Sequence, residues 1–406
     1  MKCRHCQTHL VHNFIDLGFA PPSNAYLTVE QLKHPEVYFP LKVKVCEQCW
    51  LVQTEDYSQA DELFNADYAY FSSTSRSWLT HAKHYSQTII KRLNLGQHSH
   101  VIEIASNDGY LLKNFVAAGI PCLGIEPTAS TAAAAEKLGI PVLREFFGAS
   151  LGEQFAKSKQ QADLIIGNNV FAHVPDINDF TRGLKAALKS DGTITLEFPH
   201  LMQLIQQVQF DTIYHEHFSY LSLYTVSKIF AAAGLRIWDV ETLPTHGGSL
   251  RIYGCHAEDN RRSTEAVKSM LSLEIQNELQ TLATYQQFQQ RADKVKNDLL
   301  DFLLEQKRQG KSVVAYGAAA KGNTLLNYAG VKPDLLPFIC DAALSKQDKF
   351  MPGSHIPILA PDILQKTSPD YVLILPWNIR TEVKSQLAWL TTTTFVTAIP
   401  NLEMIK

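Results

Sequence analysis

The segment Tyr214-His215-Glu216-His217 gathers a phenol, a carboxyl and two imidazoles in four consecutive positions. Imidazole titrates near neutral pH and a neighbouring carboxyl can orient it, so the set suits proton removal by a base. A bland reading stands beside this one, with His217 as a satisfied, half-buried histidine and Glu216 as a surface charge. A metal pair is a third reading. His215 and His217 stand two apart, however, a spacing that suits a strand, whereas helical metal pairs prefer i and i+4.

A second polar concentration follows a buried strand. Val101 to Ile104 runs into Ala105-Ser106-Asn107-Asp108-Gly109 and then a helix, while Glu126 closes the next strand. Such a turn sets backbone N–H groups and a helix start against a ligand, and an acid on the second strand suits a ribose diol. A dinucleotide would want G-x-G-x-x-G so that its pyrophosphate could approach the backbone; here only Gly109 is present. The spacing Glu103-x-Ala105-x-Asn107-x-Gly109 instead follows the Glu-x-Gly-x-Gly-x-Gly of S-adenosylmethionine (SAM) sites, so the loop favours SAM over NAD.

Of the seven cysteines, Cys3 and Cys6 form one CxxC and Cys46 and Cys49 another; Cys122, Cys255 and Cys340 stand alone. Two such knuckles match a four-thiolate zinc site, which fills the coordination sphere and therefore holds the fold rather than doing chemistry. Disulfides or free thiols are the alternative, and a cytoplasmic chain argues against the disulfides.

Three further stretches could touch a ligand. Asn168, Asn169 and His173 follow a strand at the carboxyl edge where ligands of open parallel sheets collect. His246 precedes two glycines that permit close backbone approach. In Gly317-Ala-Ala-Ala-Lys321-Gly322-Asn323 the glycines have Walker A separation, but Asn323 stands where that motif needs Lys, so an NTPase is not expected. The loop remains an anion site, with Lys321, Gly322 and Asn323 as its residues.

The elements that must position these groups alternate. Strand-like runs separated by helices from His100 to Cys255, and again from Ser312 to Pro400, imply two parallel sheets covered by helices. The fold class expected is α/β, a small N-terminal zinc-binding module followed by two Rossmann-like domains, with boundaries at 1–75, 76–257 and 258–406. Residues 261–309 read as a polar helix pair, exposed or bridging.

A chain of 406 residues with 45% hydrophobic and 19% charged residues buries sizeable cores and is neither disordered nor fibrous. With 37 Lys and Arg against 40 Asp and Glu it carries no basic field to gather nucleic acid or anionic lipid. Neither a secretory h-region nor a membrane-length apolar run is present, so a cytoplasmic protein is expected, with its oligomeric state open and a monomer admissible.

The paired knuckles, EIASNDGYLL, GIEPTAS, GNNVFAHVPD, YHEHFSYLSL, HGGSLR and YGAAAKGNTLLN, in that order, resemble the SAM-dependent sugar C-3 methyltransferases acting on nucleotide-linked 4-keto-deoxysugars. The likeness covers nearly the whole chain. It implies a zinc domain, a SAM domain and a C-terminal α/β domain, with His217 as the base at C-3 and Tyr214 and Glu216 around C-4. Asn168, Asn169 and His173 would lie near the donor and sugar, and Tyr70, with Tyr68 close enough to blur the register, would approach the reacting centre. His246, Lys321 and Asn323 would contact the substrate, for which family precedent favours dTDP. Ala105 departs from the glycine usual in the family. An O- or N-methyltransferase, or a noncatalytic zinc and nucleotide-binding protein, are the competing classes.

Overall fold

The computed structural model describes residues 1–55 and 71–405. Its strands form three sheets. The first is antiparallel, ordered β1 (His12–Ala20), β2 (Phe39–Val45), β3 (Val52–Thr54) and β9 (Ser219–Tyr220). β2 shows why it forms: Leu41, Val43 and Val45 are buried while Lys42 and Lys44 alternate toward the other face.

The second sheet has seven strands: β4 (Val101–Ile104), β5 (Cys122–Ile125), β6 (Val142–Leu143), β7 (Ala162–Asn168), β8 (Leu188–Pro199), β10 (Leu235–Leu243) and β11 (Ser249–His256). Their order is β10-β11-β8-β7-β4-β5-β6. β4 to β8 pair in parallel, and β11 is antiparallel to both neighbours. The chain order reverses between β4 and β7, which opens a crevice beyond their carboxyl ends.

The third sheet is ordered β14 (Ile358–Leu359), β13 (Ile339–Cys340), β12 (Val313–Tyr316), β15 (Tyr371–Ile374), β16 (Thr394–Thr397) and β17 (Glu403–Ile405). All are parallel except β17, and a second crevice lies between β12 and β15. The expected α/β architecture is thus present. No helix among the described residues is long and apolar enough to cross a membrane.

Two features depart from the sequence reading. The cysteine-bearing segment does not close on itself: β9, which directly follows the His-Glu-His motif, supplies the last strand of the first sheet through Val52–Tyr220 and Gln53–Ser219 pairing. The polar stretch 261–309 is three helices, Glu265–Gln276, Leu282–Gln286 and Phe288–Arg308. The last is amphipathic rather than exposed, burying Phe288, Ala292, Val295, Leu299, Phe302 and Leu303.

That stripe packs against both the first and third sheets, so Phe14, Ile15 and Val43 share a core with Phe288, Leu299, Val313 and Ala315. Phe14 stacks on Phe288 at 4.4 Å between ring centres and meets Tyr285 edge-on at 5.8 Å. The cysteines face the other way, sharing a core with Ile104, Phe171 and Phe198 of the second sheet and its connections. The small module is therefore a wedge between two larger units. Phe14→Ala should lower unfolding free energy by about 3 to 5 kcal/mol, read from the denaturant midpoint; a loss below 1 kcal/mol would show that this seam carries little of the stability.

Candidate active site

At the β4 crevice the backbone explains the residue spacing. Ala105, Asn107 and Gly109 all take left-handed conformations, with φ of 55°, 49° and 77°. Gly109 has a second constraint, because a Cβ there would lie 2.4 Å from Ile140 Cδ1 and 3.2 Å from Ala135 Cβ. The loop is tied to the next strand by Asn107 N, which donates to Glu126 Oε2 at 2.9 Å; Glu126 Oε1 accepts from Thr128 N at 2.9 Å. Asn107 Oδ1 and Asp108 Oδ2 in turn accept the backbone N–H groups of Ser72 and Ser73.

This crevice is rich in unsatisfied polar atoms. Both carboxyl oxygens of Glu103, Oδ1 of Asp108 and both polar ends of the Asn168 amide are buried without a hydrogen bond of ordinary geometry. Burial, reinforced by the charges of Glu126 and Asp108, pushes the Glu103 carboxyl far above the usual range, with the Tyr110 hydroxyl opposing at longer reach. Buried polar atoms are normally paired. Orphaned acceptors and an amide gathered in one crevice mark it as a place for a polar ligand.

The turn at Tyr214–His217 lies across from it. His217 Nδ1–H donates to the Thr212 carbonyl at 2.8 Å, which fixes the tautomer and leaves Nε2 a lone pair that no described residue bonds. Its ring stands 4.0 Å from Tyr214 and 4.6 Å from His173. Burial, helped by the neighbouring His173, holds its pKa well below 6.5, so the ring is neutral. His173 Nδ1 donates to the Glu216 carbonyl at 2.7 Å, and burial lowers its pKa to about 4. Glu216 Oε1 accepts from Asn24 Nδ2 at 3.1 Å, whereas Oε2 is buried and unpartnered. His215 points elsewhere, packing edge-on against Phe39.

Asn169 and His246 complete the wall. Both have left-handed backbones, and Asn169 Nδ2 donates to His246 Nε2 at 2.8 Å. Burial, aided by the Lys321 charge, lowers the His246 pKa to about 4. Its lone pair is occupied, so His246 is no rival to His217 as a base. Trp78 packs edge-on to His246 and stacks near Tyr110, linking this wall to the β4 crevice. Tyr70 and Tyr68 lie outside the described residues.

The third sheet contributes one charge. Lys321 Nζ donates to Asn378 Oδ1 at 3.1 Å and lies 4.7 Å from the Trp377 ring centre, close enough for its charge to depress His217 and His246. Its loop differs from the phosphate cradle expected. The N–H groups of Gly317, Ala318 and Ala319 are spent on Cys340 O, Asp341 Oδ2 and Gly317 O. Helix geometry leaves the first-turn N–H groups of Ala320 to Gly322 for an anion. Gly322 is small for packing, since a Cβ would meet Leu375 at 2.7 Å. Asn323 is wholly buried, its Oδ1 accepting from Asn327.

The four cysteines converge. Their sulfurs lie within 4.8 Å of one another, with Cys3–Cys49 and Cys6–Cys46 at 3.5 Å. A tetrahedron with Zn–S of about 2.3 Å has edges of about 3.8 Å, so the quartet fits a zinc ion. Gln53 Nε2 donates to Cys3 Sγ at 3.3 Å. It lies in β3 beside β9, which carries the metal shell to the edge of the His-Glu-His turn.

Comparison with known proteins agrees with this geometry. Residues 3–64 match a family model described as "Putative zinc binding domain", residues 78–240 a "Methyltransferase domain" and residues 244–400 a "C-methyltransferase C-terminal domain". The C-methyltransferase NovU of Streptomyces niveus is 34% identical over 94% of this chain and 91% of its own. The chain belongs to this family of C-methyltransferases. A magnesium protoporphyrin IX methyltransferase from Synechocystis aligns more distantly, at 13% identity and a TM-score of 0.36 over 44% of this chain and 83% of its own.

Residues that motif reading missed support this methyltransferase site from behind. Glu197, at the end of β8, accepts from His81, Arg251 and Thr245, at 2.9, 2.5 and 2.8 Å. Burial alone would raise its pKa, but these partners draw it down to about 2. Asp211 accepts from Trp377 Nε1 at 2.7 Å, and burial raises its carboxyl to about 6 despite Lys321. A lone acid in a strand gives no signal until its partners are known.

The left-handed Ala105 is strained by about 1 to 2 kcal/mol relative to glycine in the folded state. After the extra chain entropy of glycine, Ala105→Gly should raise stability by roughly 0.5 to 1 kcal/mol, measured by thermal melting, and a lower melting temperature would show that the methyl group packs usefully. His246 provides a pH test. Its folded pKa of about 4 lies below the unfolded 6.5, so its stabilising share is complete above pH 6.5 and is lost as pH falls toward 4. Relative to His246→Gln, the natural chain should lose up to about 1.4 kcal/mol per pH unit across that window; parallel stability curves would rule out a buried neutral ring.

Proposed function

We propose that this enzyme transfers a methyl group from SAM to C-3 of a nucleotide-linked 4-keto-deoxysugar, by way of an enolate formed by His217. The observation that carries the reading is the lone pair of His217 Nε2, which no described residue bonds, with Nδ1 already committed to Thr212; His215, whose ring nitrogens also lack a partner, packs away against Phe39. An O- or N-methyltransferase acts on an atom that already bears a lone pair. A carbon acid beside a ketone needs a positioned base, and this one is neutral and sheltered from water.

When bound, SAM supplies an electrophilic methyl on a sulfonium. Glu103, Asn107, Asp108, Gly109, Glu126 and Asn168 would hold it, with the buried unpaired atoms of Glu103, Asp108 and Asn168 available to its polar groups. His217 Nε2 takes the C-3 proton; the C–H pair becomes the enolate, with charge on O-4. Tyr214, Glu216 and the cation of Lys321 surround the region where that charge develops. His173 and the Asn169–His246 pair wall the opposite side, and Tyr70 completes the set expected there. The first turn of helix Ala320–Ala329 and Lys321 meet the diphosphate, for which a dTDP-sugar is the leading substrate. The cysteine zinc site, saturated by four thiolates, holds structure and takes no part in the reaction. The domain boundaries at 75 and 257 and a cytoplasmic setting complete the reading.

The test is solvent deuterium exchange at C-3 of a panel of nucleotide 4-ketohexoses, without SAM. The natural enzyme should exchange and, with SAM, add one methyl. His217→Ala should lose exchange by about 10² to 10⁴-fold while still binding SAM. Exchange that survives this substitution removes His217 from the role of base.

A further inference from the structure

The carboxyl of Glu216 is the least expected group in the site. It is buried, one oxygen is unpartnered, and the other accepts a hydrogen bond from Asn24, a residue of the cysteine-bearing segment 192 positions earlier. Asn24 sits at the middle of a short strap, residues 20–27, between β1 and the stretch leading to β2. The strap is anchored at three points on the connections of the third sheet, after β12 and between β13 and β14. Pro21 packs on Gly353, whose added Cβ would come within 3.0 Å of it. Tyr26 OH donates to the Ala318 carbonyl at 2.6 Å, where Lys346 Nζ also donates at 2.8 Å. Leu27 and Phe350 exchange backbone hydrogen bonds at 3.0 and 2.8 Å. Asn24 is thereby held by one unit and acts on another.

An acid with both oxygens in one buried pocket can rotate about its terminal bond. Tying Oε1 to a fixed amide removes that freedom and leaves Oε2 aimed at whatever occupies the space. We propose that Asn24 is a positioning residue for the reaction: its amide holds Glu216 Oε1 so that Oε2 is presented to a hydroxyl of the sugar beside the carbon acid. The inference rests on the sugar reading above, and it assigns the N-terminal segment a place in substrate alignment besides its metal-binding one. The strap also ends on Ala318, next to the helix start proposed for the diphosphate, so nucleotide seating and the orientation of Glu216 share one anchor.

Loss of one hydrogen bond to a buried acid is a matter of about ten- to hundred-fold in rate. Asn24→Ala should lower kcat for methyl transfer by that factor, with the KM for the nucleotide sugar, the dissociation constant for SAM and the melting temperature changed little. The decisive measurement is the double variant. If Asn24 acts through Glu216, Asn24→Ala should add no further loss to Glu216→Gln, whereas a merely structural role makes the two losses multiply. Asn24→Ser, which retains a short donor on the same turn, replaces the alanine variant if that one is unstable and must show the same non-additivity. An active natural enzyme whose two losses multiply, or an Asn24→Ala enzyme of undiminished kcat, overturns the inference alone. A natural enzyme that exchanges no hydrogen from any nucleotide ketosugar overturns the sugar reading and this inference together.

Discussion

The structure depends on how one irregular segment, residues 209–221, is pinned. It has almost no regular structure of its own, yet it carries the turn at Tyr214–His217. Three units hold it. The first sheet takes its end as β9 and receives the His217 carbonyl on Thr54 Oγ1 at 3.3 Å. The second unit binds Phe218 N through the Ala172 carbonyl at 2.8 Å. The third binds Asp211 through Trp377 and the Ile213 carbonyl through Thr324 Oγ1, at 2.7 and 2.8 Å. A loop fixed from three sides can hold an imidazole far more precisely than a free loop can.

Fixing the loop in this way also buries it, and burial sets its chemistry. His173, His217 and His246 are all pushed toward the neutral form by loss of water, and His217 and His246 further by neighbouring imidazoles and Lys321. Neutral rings tolerate a low-dielectric pocket; two or three imidazolium ions would not. The same surroundings strengthen the field of one lysine on any negative charge in the pocket. A pocket dry enough to keep its bases unprotonated is therefore also one where a single buried cation has most effect.

Much of the fold was legible because its signals are local. The alternation from Val101 onward and from Val313 onward marks buried strands and covering helices, and both sheets appear where it places them. The CxxC pairs met for the same reason, since each knuckle sets two ligands at fixed spacing. What could not be read was set by partners remote in sequence. β9 is only two residues, too short to show periodicity, and becomes a strand because β3 needs an edge partner. Asn24, Glu197 and Asp211 look like ordinary polar residues until Glu216, Arg251 and Trp377 are brought beside them. At Gly317 the N–H groups open to an anion begin only at the helix start for a related reason, as Asp341, just past β13, already occupies the amide of Ala318.

Backbone strain ties these observations together. Left-handed non-glycine residues occur at Ala105, Asn107, Asn169 and His246, all beyond the ends of strands β4, β7 and β10. Such conformations persist only where the surrounding structure over-determines them, and three of the four are clamped by hydrogen bonds: Asn107 by Glu126, Asn169 by the Glu197 carbonyl at 2.7 Å, and His246 by Asn169 and the Thr245–Glu197 bond. Two of these clamps run through residues of the sheet, Glu126 just past β5 and Glu197 near the end of β8. The sheet thus lends its rigidity to loops that would otherwise relax, and the orphaned polar atoms of Glu103, Asn168 and Glu216 stay unpaired because nothing nearby can move to meet them. A polar ligand that pairs with them recovers the cost of leaving them unpaired, so a crevice held in this shape is pre-organised for binding.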